Sequence, residues 1–238
     1  MARRRFFVDE VRDGRAVLTG EDALHLAQVL RAEPGERAEL SDNRSVYLAE
    51  IEAVRKGEVR FRILEELAAE APAPRFTLFL ALIKFDRLEW AIEKATELGA
   101  AAIVPVEAAR SEKGLERAAA KRVERWRRIA RESSQQARRA RLPEIGAPLP
   151  LAQALAVPGY FLDEGGGPPL LSVLPERRTA ADQIRLLVGP EGGWTDAERA
   201  AALQAGWTRA WLGPSILRAE TAALAALAVL SSAWLGYG

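Results

Sequence analysis

The pattern of apolar and polar residues changes near residue 70. Before that point, turn dipeptides such as Asp13-Gly14 and Pro34-Gly35 separate short strand-like runs. These runs cover residues 6–11, 15–18, 37–40, 46–53 and 58–64, with a helical pattern at residues 21–31. Short strands at close spacing predict a small β-barrel. The proline-rich segment at residues 71–74 predicts a boundary between one domain at residues 1–70 and another at residues 75–238.

After this linker, buried strands alternate with helices. Continuous apolar runs predict strands buried on both faces at residues 76–83, 102–106, 160–163, 184–188 and 208–212. Apolar residues at helical spacing predict helices at residues 88–98, 116–139, 196–205 and 219–234. The alternation predicts an α/β domain with a mainly parallel sheet and helices on both faces.

The composition excludes several kinds of chemistry. The chain of 238 residues is 49% hydrophobic, contains no cysteine and has a single histidine, His25. A thiolate nucleophile, a disulfide and a cysteine-ligated zinc ion are therefore excluded, and no metal site is expected.

The hydropathy pattern indicates no targeting or membrane segment. Residues 1–5 lead directly into Phe6 without the apolar core of a secretory signal. The most apolar stretch, residues 219–235, is shorter than the roughly 20 residues that span a bilayer. We therefore expect a cytoplasmic protein in which this stretch is a buried helix.

Basic residues are concentrated in one part of a nearly neutral chain. The formal net charge is +1, yet residues 121–141 hold nine lysines and arginines against Glu124 and Glu132. A block of one sign is typical of a surface that binds phosphate groups, which favours a nucleic-acid partner. The alternative is a solvated helix face, the more common role of a charged run.

Two loops rich in glycine and proline each follow a predicted strand and precede a predicted helix. The first glycine loop is residues 189–194, Gly-Pro-Glu-Gly-Gly-Trp, and the second is residues 212–217, Leu-Gly-Pro-Ser-Ile-Leu. Ligands bind at the carboxyl ends of strands in α/β sheets, where glycine lets the backbone approach them closely. Neither loop matches a Walker A or G-x-G-x-x-G motif, so they are either ordinary turns or a less common ligand site. Thr195 and Glu198 predict a capping box for the helix after the first loop.

The two loops resemble the signature loops of the knotted SPOUT methyltransferases. Residues 188–193 and 212–222 carry the resemblance, which is closest to the branch that methylates N3 of uracil-1498 in 16S ribosomal RNA. Residues 93–99, the Arg110-Ser111 pair and residues 135–143 match the same branch in the same order. In the amino-terminal part, His25, residues 29–31 and Pro34-Gly35 resemble that family's PUA-like, RNA-binding β-barrel.

The resemblance implies a fold, a cofactor and partners. It implies a SPOUT α/β domain with a deep trefoil knot, S-adenosylmethionine as cofactor without a metal, 16S ribosomal RNA as substrate, and a homodimer that completes the site. Three loops, at residues 162–164, 189–193 and 212–217, would hold the cofactor. The residues predicted to bind it are Leu162, Gly189, Pro190, Glu191, Gly192, Gly193, Leu212, Gly213, Ile216, Leu217 and Thr221. Without a cysteine to form an adduct, a pyrimidine acceptor has to react at nitrogen or oxygen.

Arg218 and Glu191 are the predicted catalytic residues. Arg218 would hold the uracil oxygens or a nearby phosphate and stabilise the developing anion; otherwise it forms an ion pair with Glu220 or Glu191. Glu191 would orient its loop by accepting backbone hydrogen bonds, or attract the positive sulfonium. No residue is predicted as general base, and His25 is expected to be structural or to face RNA.

The resemblance and the charge pattern together predict the residues that position RNA. They are Arg3, Arg4, Arg5, Lys84, Arg87, Lys94, Arg110, Arg138, Arg139 and Arg141. Residues 135–139 depart from the family pattern Glu-Gln-x-Gly-Arg: Gln135 replaces a carboxylate, and Arg138 stands where glycine is usual. The second change implies an altered RNA contact.

Three functions stay open at the level of sequence. The leading one is methylation of this uracil in ribosomal RNA. A relative that methylates another base or a ribose hydroxyl is the second, and a non-catalytic RNA-binding assembly factor with the same fold is the third. Only the third requires no affinity for the cofactor.

Overall fold

The computed structural model describes residues 5–69, 71–112 and 114–235, and the chain divides into two compact units. The first unit comprises Met1–Ala71 with Ser134–Leu142, and the second comprises Pro72–Ser133 with Pro143–Gly238. Arg3 and Arg4, which are among the residues predicted to position RNA, lie outside the described residues. Within the described ranges, no helix has both the length and the apolar character needed to cross a membrane.

A mostly antiparallel sheet dominates the first unit. Its described strands are β1 (Arg5–Phe7), β2 (Val11–Arg12), β3 (Arg15–Thr19), β4 (Arg37–Ser41), β5 (Val46–Arg55) and β6 (Glu58–Glu66). They lie in the order β1-β4-β5-β6-β3-β2, with β1 parallel to β4 and the other neighbours antiparallel. Each predicted strand-like run corresponds to a strand, except that the run at residues 6–11 is divided between β1 and β2.

The predicted helix at residues 21–31 is less regular than its sequence pattern suggests. Helix α1 (Gly20–Leu24) continues into a π-helical turn at His25–Val29, and Arg31 then adopts a left-handed φ of +51°. The buried Leu26 of this turn packs in the same core as Phe61 of β6. Residues alternate between buried and exposed along β3, so one face of the sheet meets this core.

The segment Ser134–Leu142 completes the first unit although residues 72–133 precede it in the chain. Ser41 Oγ donates a hydrogen bond to the carbonyl of Ala140 at 2.5 Å, and the amide of Leu142 donates to Asn43 Oδ1 at 2.9 Å. These bonds extend from the end of β4 to the returning segment, so the segment is a structural part of the unit.

Arg138 connects the returning segment to the sheet through Glu39. Arg138 Nη2 lies 2.6 Å from Glu39 Oε1, and Arg5 Nη2 lies 3.0 Å from Glu39 Oε2. Burial acts to raise the pKa of Glu39, but hydrogen bonds and charges from both arginines outweigh burial and leave this pKa below its ordinary value. The φ of Arg138 is +54°, a left-handed conformation that glycine adopts without strain and that other residues adopt less often.

This arrangement gives Arg5, one of the residues predicted to position RNA, a role within the protein. Arg5 is only 8% exposed, and its guanidinium is occupied by Glu39 and by the carbonyl of Arg138. The sequence could not reveal the burial of Arg5, because an arginine near the amino terminus is usually predicted to be a surface residue.

A parallel sheet forms the centre of the second unit. Its described strands are β7 (Arg75–Ala81), β8 (Ala102–Glu107), β9 (Glu144–Ile145), β10 (Leu149–Pro150), β11 (Tyr160–Leu162), β12 (Gln183–Val188) and β13 (Thr208–Ala210). The order is β10-β8-β7-β12-β11-β13, with β9 paired to β8, and every recorded pairing is parallel. The predicted parallel sheet is confirmed; β9 and β10 were not predicted, since two-residue strands carry almost no pattern.

The helices of the second unit confirm the predicted alternation of strands and helices, but the bounds of one predicted helix are wrong. The described helices are α2 (Phe85–Glu97), α3 (Leu115–Ala119), α4 (Val123–Gln136), α5 (Leu151–Ala154), α6 (Asp196–Gln204) and α7 (Ala219–Leu235), with 3-10 turns at Ala120–Arg122 and Leu170–Val173. The single helix predicted at residues 116–139 is wrong, because a 3-10 turn separates α3 from α4 and α4 ends before the left-handed Arg138.

The core of the second unit explains why its sheet and helices form. Leu78 of β7, Leu186 of β12, Ile92 of α2 and Leu230 of α7 are each at most 1% exposed and share one apolar cluster. Burying a side chain of this size stabilises the fold by about 1.5–3 kcal/mol. With β11, β12 and β13 adjacent and parallel, the loops after these strands emerge at the same edge of the sheet.

Candidate active site

Loops that follow β11, β12 and β13 surround a cavity at the carboxyl edge of the parallel sheet. The cavity is partly open to solvent, and its volume is about 90 Å³. Most of the predicted cofactor-binding residues line it, namely Leu162, Gly189, Pro190, Glu191, Gly193, Leu212, Gly213, Ile216 and Leu217. Both glycine loops therefore contribute to one cavity.

Some lining residues differ from the predicted set. Gly192 is absent from the lining because it lies against Arg110, and Thr221 is an exposed residue in the first turn of α7. Asp163, Glu164 and Ser215 line the cavity too and belong to the three predicted loops, whereas the lining residues outside those loops are Val188, Ala210, Trp211, Ala219 and Ala222.

Trp194 anchors the first glycine loop. Its indole Nε1 donates a hydrogen bond to the carbonyl of Leu162 at 2.8 Å, and its side chain is buried. A Cβ at Gly189 would lie 2.9 Å from Trp194 Cε2, so glycine lets the loop backbone pass the indole ring. The predicted capping box of Thr195 and Glu198 is confirmed, and α6 begins directly after this loop.

Two arginines from other loops and helices contact the first glycine loop. Arg110 Nη1 donates to the carbonyls of Gly192 at 3.0 Å and Trp194 at 3.3 Å. Arg87 Nη1 lies 3.1 Å from Glu191 Oε1, and Arg87 Nε lies 3.9 Å from Glu220 Oε1. Both arginines are among the residues predicted to position RNA, and the structure gives each of them a role within the protein.

The same contacts bear on the two predicted catalytic residues. Glu191 pairs with Arg87, whereas the sequence suggested that its carboxylate accepts backbone hydrogen bonds. Arg218 is exposed and forms no ion pair with any residue that the structure describes, so the alternative pairing with Glu191 or Glu220 is not found. Its backbone carbonyl accepts a hydrogen bond from the amide of Ala222 at 2.8 Å, which places Arg218 at the start of α7.

The second glycine loop has fewer contacts that hold it in place than the first. Gly213 has a φ of +128°, and no hydrogen bond links residues 212–217 to any other described residue. Ile216 is 88% exposed although it lines the cavity.

The loop after β11 was predicted to hold the cofactor, but the pairing of its acidic side chains with arginines was missed by sequence reasoning. Asp163 is fully buried in its side chain and lies 3.0 Å from Arg199 Nε and 2.7 Å from Arg209 Nη2. Burial acts to lower the pKa of Arg199. The hydrogen bond and charge of Asp163, together with the charge of Glu164, outweigh burial and raise this pKa above its ordinary value. The available signal was an Asp-Glu pair directly after a buried strand, where the ligands of α/β sheets bind.

The remaining residues predicted to position RNA have mixed surroundings. Lys94 Nζ lies 2.7 Å from Glu93 and 2.8 Å from Glu97, Arg139 is half-buried, and Lys84 and Arg141 are exposed. In the basic block, Arg122 and Arg125 both bind Glu89 of α2, at 3.0 and 2.8 Å. Part of the block's charge is therefore neutralised within the protein.

The structure offers no evident metal site in its described ranges. No group of three or more histidine, aspartate or glutamate side chains that could hold a metal ion is found among the described residues.

Comparison with known proteins assigns this fold and site to a class. A family model described as an RNA methyltransferase domain matches residues 69–231, and a model described as an RNA methyltransferase PUA domain matches residues 18–64. The first match contains both glycine loops and the whole cavity, so the site is that of an RNA methyltransferase domain.

Relatives define the family more closely. The chain is 36% identical to "Ribosomal RNA small subunit methyltransferase E" of Mycobacterium bovis, with 96% of this chain and 92% of the relative covered. A structure of the protein of that name from Neisseria gonorrhoeae, bound to S-adenosyl methionine, matches with a TM-score of 0.85 and 29% identity over 98% of both chains. A Legionella pneumophila structure with the bound cofactor SAM matches with a TM-score of 0.87 and 30% identity over 98% of both chains. The chain belongs to the ribosomal RNA small subunit methyltransferase E family.

Proposed function

We propose that this protein transfers a methyl group from S-adenosylmethionine to N3 of uracil-1498 in 16S ribosomal RNA. The observation that carries the proposal is the position of the two glycine loops, which are separate in sequence and line one cavity. The names of the relatives support ribosomal RNA of the small subunit as substrate, and the ligands of the two matching structures support the cofactor.

The residues around the cavity suit S-adenosylmethionine. Leu162, Val188 and Leu212 supply apolar surface for a flat adenine ring, and Glu191 brings negative charge to a cavity that would hold a positive sulfonium. Gly193 keeps the wall free of a side chain where a Cβ would otherwise meet Glu164. The bound cofactor supplies an electrophilic methyl group, and the residues of the chain bind it, orient it and exclude water from it.

Arg218 is the residue we propose to act on the substrate. Uracil N3 carries a weakly acidic proton and becomes a good nucleophile only when this proton is lost. N3 lies on the Watson–Crick edge, so the base has to be unpaired and turned out of any helix to react. The exposed guanidinium of Arg218 follows the second glycine loop directly and has no ion-pair partner among described residues, so it can hold the uracil oxygens as negative charge develops.

The partners and location follow from the same proposal. We propose a homodimer that completes the site, a small-subunit substrate that provides the RNA, and action in the cytoplasm. Lys84 and Arg141 are exposed, so each is accessible to a phosphate group of the RNA. The trefoil knot stays a prediction of the resemblance.

Mass mapping of 16S ribosomal RNA tests the proposal. A strain without the gene should lack the methyl group on uracil-1498, and a plasmid copy should restore it. If the methyl group that is missing belongs to another base or to a ribose, that group is the acceptor and uracil-1498 is not. Calorimetric titration with S-adenosylmethionine addresses the non-catalytic alternative, because an assembly factor without catalysis requires no affinity for this cofactor.

A further inference from the structure

Glu164 is a carboxylate at the cavity wall to which the proposed reaction gives no role. Its side chain is 42% exposed. Oε1 accepts a hydrogen bond from Arg199 Nη2 at 2.8 Å, whereas no residue in the described part of the chain hydrogen-bonds to Oε2. The carboxylate is therefore anchored through one oxygen and has the other available for a ligand.

The anchor of Glu164 is itself held by a buried acid. Arg199 contacts Asp163 through Nε at 3.0 Å, and Arg209 contacts the same carboxylate oxygen at 2.7 Å. Arg199 also lies 3.2 Å from the exposed Asp196 through Nη1, so its guanidinium contacts Asp163, Asp196 and Glu164 at the same time. Charge-assisted hydrogen bonds of this kind fix both the position and the direction of a side chain.

The first glycine loop leaves space for this carboxylate. Gly193 has a φ of +68°, and a Cβ at this residue would lie 2.1 Å from Glu164 Oε1 and 2.8 Å from its Cδ. Glu164 thus lies directly against the backbone of the loop that carries Glu191. A ligand held by this loop would therefore lie within reach of Glu164.

We propose that Glu164 recognises the ribose of the nucleoside cofactor by accepting hydrogen bonds from its vicinal hydroxyls. This inference rests on the proposed function, since it assigns one part of the same cavity. A carboxylate is an acceptor only, and the diol of a ribose presents two O–H donors to it. Acidic residues bind ribose hydroxyls in the same way in dinucleotide-binding folds.

The charge around Glu164 favours the neutral diol over a cationic group of the cofactor. Arg199 is already 2.8 Å from the carboxylate, so an ammonium or sulfonium group here would be close to a like charge. A hydroxyl group carries no such penalty.

Calorimetric titration of the full-length protein with S-adenosylhomocysteine and its 2′-deoxy and 3′-deoxy analogues tests the assignment. We expect the wild type to bind at least one deoxy analogue about 10- to 100-fold more weakly than the parent. Glu164→Ala should bind the parent and that analogue within about threefold of each other, and the shape-preserving Glu164→Gln should also lose most of the difference. Glu176→Gln, at an exposed glutamate that does not line the cavity, should keep the full difference.

The possible outcomes separate the two proposals. Equal binding of all three ligands by the wild type, or an undiminished difference in both Glu164 variants, would overturn the assignment of Glu164 and leave cofactor binding intact. Failure of the wild type to bind S-adenosylhomocysteine would instead contradict the proposed function. If circular dichroism shows that Glu164→Ala is unfolded, the result for Glu164→Gln alone decides whether Glu164 binds the ribose.

Discussion

The two glycine loops line the same cavity and are held in different ways. The first is fixed by Trp194, whose indole reaches the carbonyl of Leu162, and by the guanidinium groups of Arg110 and Arg87. The second receives no hydrogen bond at residues 212–217 from the rest of the described chain, and its Ile216 is 88% exposed. One wall of the cavity is therefore tied to the packed structure by hydrogen bonds, while none in the described chain ties the other.

Because the two loops are held differently, we expect substitutions in them to affect different measured quantities. Changes in the first loop should act on the free energy of unfolding and on cofactor affinity together, because the loop is part of the packed structure. Changes in the second loop should act on turnover or affinity and leave the fold intact.

Trp194→Ala should have the largest effect. The side chain is 2% exposed and packs in a cluster with Phe161 and Leu187, so truncation leaves a cavity and should lower the free energy of unfolding by about 3–5 kcal/mol. Denaturant-induced unfolding measures this change. The matched control is Trp90→Ala, at a tryptophan that is 45% exposed, which should cost about 1 kcal/mol or less. Equal losses in the two variants would mean that the first loop is not anchored through its indole.

Arg218→Ala should slow methylation by about 100- to 1,000-fold, because the variant has no group to stabilise the developing charge. Cofactor affinity measured by calorimetry and the free energy of unfolding should stay close to those of the wild type, since no described ion pair is broken. Single-turnover assays on small-subunit RNA measure the rate. Turnover at the wild-type rate would reject the role of Arg218 in the reaction.

Arg110→Ala should weaken cofactor binding by about 3- to 10-fold, because the variant cannot form the exposed hydrogen bond to Gly192 or the partly buried one to Trp194 in the first loop. Arg110→Lys is the matched variant: it keeps the charge but not the guanidinium geometry, so it should bind cofactor as weakly as the alanine variant.

The salt dependence of RNA binding shows whether Arg110 also binds a phosphate group. If it does, Arg110→Ala should reduce the slope of log K against log salt by about 0.7–0.9, and Arg110→Lys should restore the slope. An unchanged slope in both variants would assign Arg110 to the loop alone.

Ile216→Ala should have the smallest effect on stability, within about 0.5 kcal/mol in the free energy of unfolding, because the side chain is already in water. Cofactor affinity should still fall severalfold, since Ile216 lines the cavity. Leu203→Ala, at a leucine that is 52% exposed and absent from the cavity lining, should change neither quantity. A stability loss comparable to that of Trp194→Ala would remove the contrast between the loops.

The glycine loops and the parallel strands were predictable because their signals are local. Leu186, Leu187 and Val188 form an apolar run that is buried on both faces, and the Gly-Pro pair at residues 189–190 ends it. The same reasoning failed at residues 116–139. A charged stretch of good helix formers does not reveal a 3-10 turn at Ala120–Arg122 or the return of the chain into the first unit.

The partners of the site residues were not predictable, because the residues that pair are distant in sequence. Arg87 and Glu191 are 104 positions apart, and Arg110 and Gly192 are 82 apart. The sequence shows an excess of arginine without showing which carboxylate or carbonyl each one meets. This is why basic residues that hold the site together were predicted to contact RNA.

The returning segment Ser134–Leu142 has a consequence for the nascent chain. The hydrogen bonds that join Ser41 to Ala140 and Asn43 to Leu142 cannot form until the segment has been made, so the first unit stays incomplete after the strands of its sheet have been translated. At a synthesis rate of about 5–20 residues per second, the delay is on the order of ten seconds. During that interval chaperones have access to polar edges that the finished protein covers, and a fragment released after residue 71 would keep them open permanently.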